Sequence, residues 1–324
     1  MRILANEFVL PVSIGIECHA SHLALLPDGC VFCVFFYGSK ESHPDERIYG
    51  SFREQNGRWT APFAISEDDG IAHWNPVLFK RNDGAYILYY KIGKTIPEWK
   101  TYYRISTDNC KTWSDSKEMV PGDEMGGRGP VRNKAIYLSD GSILAPASTE
   151  QGRWRCFFDR STDNGKTWTA SELLSISEEE GKPLEVSNGG SGIIQPTVWE
   201  SEDGAHALMR STAGKIYKTD SKDFVNWCQP YPIDVPNNNS GIDAVKLPDG
   251  RVLLACNPIG IKNVRTPLSL YVSNDDGNTF TFYSHLITMP GKYHYPAMIY
   301  EDGCLHLTYS WNFNTIAYLC LGDL

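Results

Sequence analysis

Short apolar runs, broken by turn signals at near-regular intervals, extend along the whole chain. Asp-Gly pairs with apolar residues on both sides occur at Asp28, Asp83, Asp140, Asp203, Asp249 and Asp302, at intervals of 55, 57, 63, 46 and 53 residues. Residues 22–26 precede Asp28 and residues 30–36 follow it, and both stretches read as strands. Val198-Trp199 and residues 207–209 bracket Asp203 in the same way. Glycine after aspartate accepts positive φ, so each pair predicts a tight hairpin. Helical periodicity is almost absent. Residues 177–181 alone are a candidate for a short helical or acidic loop.

A second pattern recurs about 20 residues after some of these hairpins. Ser106-Thr107-Asp108-Asn109-Cys110-Lys111-Thr112-Trp113 is one copy, residues 161–168 are another, and residues 273–280, ending in Phe280, are a third. Weaker echoes end at Trp59 and Trp227. The aspartate and glycine of such a box predict a turn with the aromatic residue packed beneath it. These are structural staples rather than catalytic groups. Six units of about 54 residues, each made of short strands, predict an all-β, six-bladed β-propeller of four-stranded antiparallel blades. The last unit, from about Tyr295, leaves room for three strands, so residues 3–10 are expected to complete that blade and close the fold. One domain spanning 1–324 is expected.

Composition narrows the function. Acidic residues outnumber basic ones 39 to 30, for a formal charge of −9. A nucleic-acid or anionic-membrane partner needs a positive face, which this balance argues against. No run of 18 apolar residues is present, so no membrane-spanning helix is expected. No apolar leader segment follows Met1, so an intracellular, cytoplasmic protein is the expectation, with a mature secreted form as the alternative. The nine cysteines sit mostly in strand-like runs and read as buried free thiols. Cys30 and Cys33 lie in one alternating strand with no second pair or histidine cluster, so no metal is expected there. Neither a zinc spacing nor an EF-hand loop occurs, and no cofactor is implied. Gly189-Gly190-Ser191-Gly192 precedes no helical pattern and reads as a flexible loop, not a phosphate cradle.

In a propeller the innermost strand of each blade runs toward the Asp-Gly hairpin, and the second strand returns. Residues six to nine before each Asp-Gly therefore share one face with the ends of the second strands. The starts are His19, Asn75, Asn133-Lys134, Gln195, Asp243 and Tyr295. The ends include residues 40–46, Tyr90-Lys91, Glu150, Arg210, residues 257–265 and Trp311. Core strands do not need polar residues at these positions, so they predict a convergent polar pocket, with a water-filled channel as the structural alternative.

The boxes on a six-fold Asp-Gly repeat resemble the sialidase superfamily, in its broad group of Asp-box (BNR) repeat proteins. That resemblance covers nearly the whole chain. It implies three arginines on a substrate carboxylate, a tyrosine nucleophile activated by a glutamate, and an aspartate as acid/base. Arg210 and Arg265 match two of the arginines, Tyr295 the tyrosine and Asp45 the aspartate. His19 stands at the first arginine's position and Gln195 at the glutamate's. A glutamine takes no proton, so these two departures point away from ordinary sialic acid hydrolysis. Lys91, Arg128 and Lys134 are further candidate contacts for an acidic group, and Asn75 and Trp311 are candidate sugar contacts.

Several candidates carry a structural reading beside the chemical one. Asp45 is a general acid or a solvated loop residue. Glu150 is a base for water or a partner of Arg153 or Arg155. Asp243 orients a hydroxyl, acts as base, or caps a turn. His19 and Tyr295 are catalysts or channel lining. With the resemblance, they imply a carbohydrate-active enzyme of that superfamily, an exo-acting glycoside hydrolase on a terminal acidic sugar, sialic acid or uronate, in an oligosaccharide or glycoconjugate. A lyase acting at a uronate, with His19 or Tyr295 as base, is the second expectation. A non-catalytic glycan-binding propeller is the third.

Overall fold

A computed structural model describes residues 1–12, 15–180 and 190–324. Gly181 and Gly189, the ends of two segments singled out above, lie outside the described residues. Among the described residues are six four-stranded antiparallel sheets, and the one helical element is a 3-10 turn at Ile96–Glu98. The chain is an all-β six-bladed propeller. Its residues divide into two compact units, Met1–Pro121 with Tyr295–Leu324, and Gly122–His294.

The first unit holds the sheets Glu17–Leu25, Val31–Gly38, Arg47–Arg53, Phe63–Ala64 and His73–Lys80, Tyr86–Ile92, Lys100–Ser106, Lys117–Glu118. Its third sheet joins the strand Tyr293–Glu301, which belongs to this unit from Tyr295 on, with Cys304–Trp311 and Thr315–Gly322 to the N-terminal strand Arg2–Phe8. That strand pairs Arg2 with Gly322 and Phe8 with Ala317, completing the blade as expected. Leu23, Val31, Cys33, Phe35, Ile316 and Tyr318 share one core.

The second unit holds Ile136–Tyr137, Ile143–Thr149, Arg155–Ser161, Thr169–Ala170, then Ile193–Ser201, Gly204–Ser211, Lys215–Ser221, Tyr231–Pro236. Its last sheet is Asp243–Lys246, Val252–Cys256, Leu268–Ser273 and Thr281–Ile287. Leu144, Phe158, Val198 and Met209 build one core, and Leu208, Ile216, Val252 and Leu254 another.

The turn chemistry follows the sequence. Gly29 has φ +81°, and the glycines of the other five Asp-Gly pairs are also left-handed. In the boxes, the Asp108 carboxylate accepts from Ser106 Oγ at 2.8 Å, Thr112 N at 2.9 Å and Thr112 Oγ1 at 2.6 Å. Asp163 and Asp275 repeat the arrangement. The echo before Trp227 substitutes Asn226 for the threonine, with Asp223 accepting from its backbone and side-chain amides at 2.7 Å each. All nine cysteines are free thiols; six are buried, Cys30 and Cys304 are half-buried and Cys228 is exposed.

Each box hydrogen bond is worth about 1 kcal/mol net. Asp275→Ala removes one acceptor from Ser273 Oγ, Thr279 N and Thr279 Oγ1. It is expected to lower the thermal midpoint by several degrees in calorimetry, roughly what 1–3 kcal/mol does in a chain of this size. An unchanged midpoint would show that the box is ornamental.

Candidate active site

The start of the innermost strand is strained in four blades. Ala20, Asn75, Gln195 and Tyr295 have φ of +51°, +48°, +54° and +55°. The first three sit in bulges, where the register slips between His19 and His22, Trp74 and Val77, and Ile194 and Thr197. Left-handed backbone at a non-glycine residue costs of order 1–3 kcal/mol, and such residues cluster at functional sites. Proline follows in Asn75-Pro76, Gln195-Pro196 and Tyr295-Pro296.

In the second unit two predicted arginines come together. Arg210, at the end of Gly204–Ser211, is 8% exposed. Its Nε donates to Asn239 Oδ1 at 2.9 Å and its Nη1 to Gln195 Oε1 at 2.9 Å. Arg265 Nη1 donates to Ser240 Oγ and, at 3.5 Å, to Asn238 Oδ1. Asn239 and Ser240 are consecutive, so one turn gathers both guanidinium groups. Gln195 thus orients an arginine with a neutral oxygen. The backbone that carries it is pinned by Asn133 Nδ2, which donates to the Gln195 and Pro196 carbonyls at 3.1 Å each.

His294, 5% exposed, measures the field of this cluster. Burial, and then the charges of Arg265, Arg210, Lys292 and Arg132, push its pKa well below the ordinary imidazole value. The imidazole is therefore neutral, first through burial and then through these four cationic side chains. Arg132 was not anticipated from the sequence. It is 1% exposed and lies in Arg132-Asn133-Lys134, immediately before a predicted strand start.

The remaining candidates of this unit have firm partners. Lys134 Nζ reaches both Asp243 oxygens, at 2.9 and 3.0 Å, and the Ala244 carbonyl at 2.8 Å. Thr197 Oγ1 also donates to Asp243 at 2.7 Å. Asp243, 1% exposed, is therefore the counter-ion of Lys134. Arg128 holds the buried Asp159 through Nε at 2.9 Å and Nη2 at 2.6 Å, which clamps a loop onto a sheet. Glu150 is half-buried just past the strand Ile143–Thr149, near enough to Cys156 for its charge to add to the burial that raises that thiol's pKa.

In the first unit, His19 is 2% exposed and its Nδ1 lies 2.6 Å from Ser310 Oγ. Its ring stacks on Tyr295 at 4.2 Å, with Phe313 at 4.8 Å. Asn75 and Lys91 are buried, and Lys91 Nζ donates to Thr101 Oγ1. Trp311 packs edge-on against Phe8 at 5.1 Å. Asp45 is exposed and accepts from Ser39 N at 3.0 Å and Ser39 Oγ at 2.9 Å. Desolvation pulls the carboxyl up, but the Ser39 bonds and the His43 charge together outweigh it, and the carboxyl sits below its usual range.

Its neighbour Glu46 differs. It is fully buried, and its Oε2 accepts from Ser42 N at 2.6 Å. Burial, and then the charges of Glu41, Asp45 and Glu17, push its pKa up to about 9 against the pull of the Ser42 bond. A carboxyl that keeps its proton at neutral pH is a potential donor. The sequence singled out Asp45 and passed over Glu46, because only burial separates them.

The family description "BNR repeat-like domain" matches residues 29–307. No curated protein matches the chain. Among solved structures, it is similar to a protein of unknown function from Dyadobacter fermentans, at 16% identity over 98% of each chain with a TM-score of 0.79. It is similar to the NanB sialidase from Streptococcus pneumoniae, at 14% identity over 97% of this chain and 71% of that one, TM-score 0.73. It is also similar to the intramolecular trans-sialidase from Ruminococcus gnavus, at 12% identity over 94% of each chain, TM-score 0.71. Likeness at these identities shows a shared fold.

Glu46 offers a direct check on the electrostatics. The folded chain keeps a proton up to about pH 9 that the unfolded chain releases above its ordinary value of 4.5. The raised carboxyl therefore favours folding fully below pH 4.5, and that contribution is lost as pH rises toward 9. Glu46→Gln removes the titration. Its thermal midpoint is expected to gain several degrees on the wild type as pH rises through this window, which corresponds to a few kcal/mol. Parallel curves would contradict the raised pKa.

Proposed function

Since the chain belongs to the family of BNR repeat-like domains, a repeat fold that does not by itself fix a chemistry, we propose from its side chains that it is a carbohydrate-active enzyme. The reading is an exo-acting glycoside hydrolase on a terminal acidic sugar, of sialic acid or uronate type, in an oligosaccharide or glycoconjugate. One observation carries it: the guanidinium groups of Arg210 and Arg265 hydrogen-bond to neighbouring residues of one turn, in a cationic neighbourhood. Two adjacent planar forks fit a carboxylate, and desolvation strengthens the contact.

A glycosidase also needs a protonated carboxyl for the leaving oxygen. The proposal gives that task to Asp45, which is exposed on its loop, whereas the adjacent Glu46 is fully buried. Gln195 is engaged with Arg210 and activates no tyrosine, so Tyr295 is not driven as a nucleophile in the sialidase manner. Hydrolysis of ordinary sialosides is therefore disfavoured against another acidic sugar.

The His19–Tyr295 stack favours a second reading, elimination at a uronate. The histidine or the tyrosine takes the proton from the C–H beside the uronate carboxylate. The C–H electron pair becomes a C=C bond as the C–O bond to the leaving sugar breaks, and the departing oxygen takes back a proton from the conjugate acid. No water is consumed.

The test is a screen of oligosaccharides ending in uronate or sialate, with products weighed by mass spectrometry. Hydrolysis is expected to give fragments that sum to substrate plus one water. Fragments that sum to the substrate alone, one of them ultraviolet-absorbing, would establish elimination instead. Rapid release of free sialic acid would overturn the reading of Gln195 and His19. Binding without turnover would make the chain a glycan-binding propeller.

A further inference from the structure

The sequence Asn237-Asn238-Asn239-Ser240 precedes the strand that starts at Asp243 and attracts no attention as chemistry. In the second unit it is the element on which both arginines rest. Asn239 Oδ1 accepts from Arg210 Nε at 2.9 Å. Ser240 Oγ accepts from Arg265 Nη1 and donates to Asn238 Oδ1, which also faces Arg265 Nη1 at 3.5 Å. Asn238 Nδ2 donates to the Ile261 and Val264 carbonyls at 2.6 Å each, which secures the loop that carries Arg265. Asn237 braces the turn itself: its Nδ2 donates to the Ser240 carbonyl at 3.1 Å, and its Oδ1 accepts from Asn239 N at 2.9 Å.

We infer that Asn238 and Asn239 are positioning residues that align Arg210 and Arg265 as one clamp for a carboxylate, and that they are amides because a carboxylate in their place would compete with the ligand. The inference rests on the reading of these arginines as carboxylate ligands. An amide oxygen directs a guanidinium as an aspartate oxygen does but adds no charge. Gln195 Oε1 and Ser240 Oγ are neutral acceptors on the same two arginines, so the choice of amide is consistent across the cluster. Asn239 also occupies a left-handed backbone position, φ +67°. Glycine, asparagine and aspartate tolerate that conformation, whereas alanine would strain it. Asn239→Gly therefore deletes the acceptor and keeps the turn, while Asn239→Asp keeps the acceptor and adds a charge.

Both variants and the wild type would be titrated calorimetrically with galacturonate and N-acetylneuraminate. In parallel, hydrogen exchange of the Arg210 Nε–H would be followed by nitrogen-15 NMR in the absence of sugar. Asn239→Gly is expected to speed Arg210 exchange and to weaken binding of the acid about tenfold. Asn239→Asp is expected to keep the Nε–H protected and yet weaken binding at least tenfold, with the thermal midpoint unchanged in both. Wild-type affinity in Asn239→Asp, or unchanged Arg210 exchange in Asn239→Gly, would overturn the inference. Should the wild type bind neither acid, the sugar reading fails. The exchange of Arg210 in Asn239→Gly then decides the positioning role alone: faster exchange supports it and unchanged exchange overturns it.

Discussion

A guanidinium withdrawn from water has to be met by oxygens, and which oxygens meet it determines what it does next. Within the second unit both solutions occur. Arg128 is met by the buried Asp159 carboxylate and Lys134 by Asp243. Such pairs cancel charge and hold loops in place. Arg210 and Arg265 are met by amide and hydroxyl oxygens, from Gln195, Asn239 and Ser240. That arrangement fixes direction and adds no negative charge. His294 is neutral first because it is buried and then because of the charges of Arg265, Arg210, Lys292 and Arg132. A protein with a net charge of −9 thus gathers Arg210, Arg265, Lys292 and Arg132 within reach of one histidine.

The backbone prepares the first unit in a different currency. His19 stands one residue before a left-handed Ala20, and Tyr295 is itself left-handed. Their rings stack, and Ser310 Oγ at 2.6 Å from His19 Nδ1 fixes the imidazole's orientation. The strain of such positions is tolerated because sheets bounded by Asp-Gly hairpins and box turns over-determine the surrounding backbone. Stapled blades and strained strand starts are two sides of one design. Glu46 extends the theme, since a carboxyl buried beside three others remains neutral only while the fold keeps water away from it.

The fold was largely legible in the sequence because its signals are local. An Asp-Gly pair needs only its own turn, and a box needs only its own eight residues, so both survive without knowledge of distant contacts. The completion of the last blade by Arg2–Phe8 was legible by counting strands. For the candidate site, position marked Arg210, Arg265 and Gln195 in the sequence, and the structure joins Arg210 to Gln195. The partnership of Lys134 with Asp243 and that of Arg128 with Asp159 were hidden, since they join residues 109 and 31 positions apart. Burial separates Glu46 from Asp45, and two adjacent acidic letters carry no burial. The asparagines at 237–239 were hidden for another reason. Such a run is ordinary turn chemistry until its side chains are seen to reach Arg210 on a strand and Arg265 on a loop.

The central claim is that the cluster around Arg210 and Arg265 recognises a negative carboxylate. The most direct measurement compares, by calorimetry at low ionic strength, a uronic acid monosaccharide with its methyl ester, which has the same shape and no charge. The account expects the acid to bind at least about tenfold tighter, with the difference shrinking as salt is added. Equal affinity for acid and ester, at every salt concentration, would contradict it.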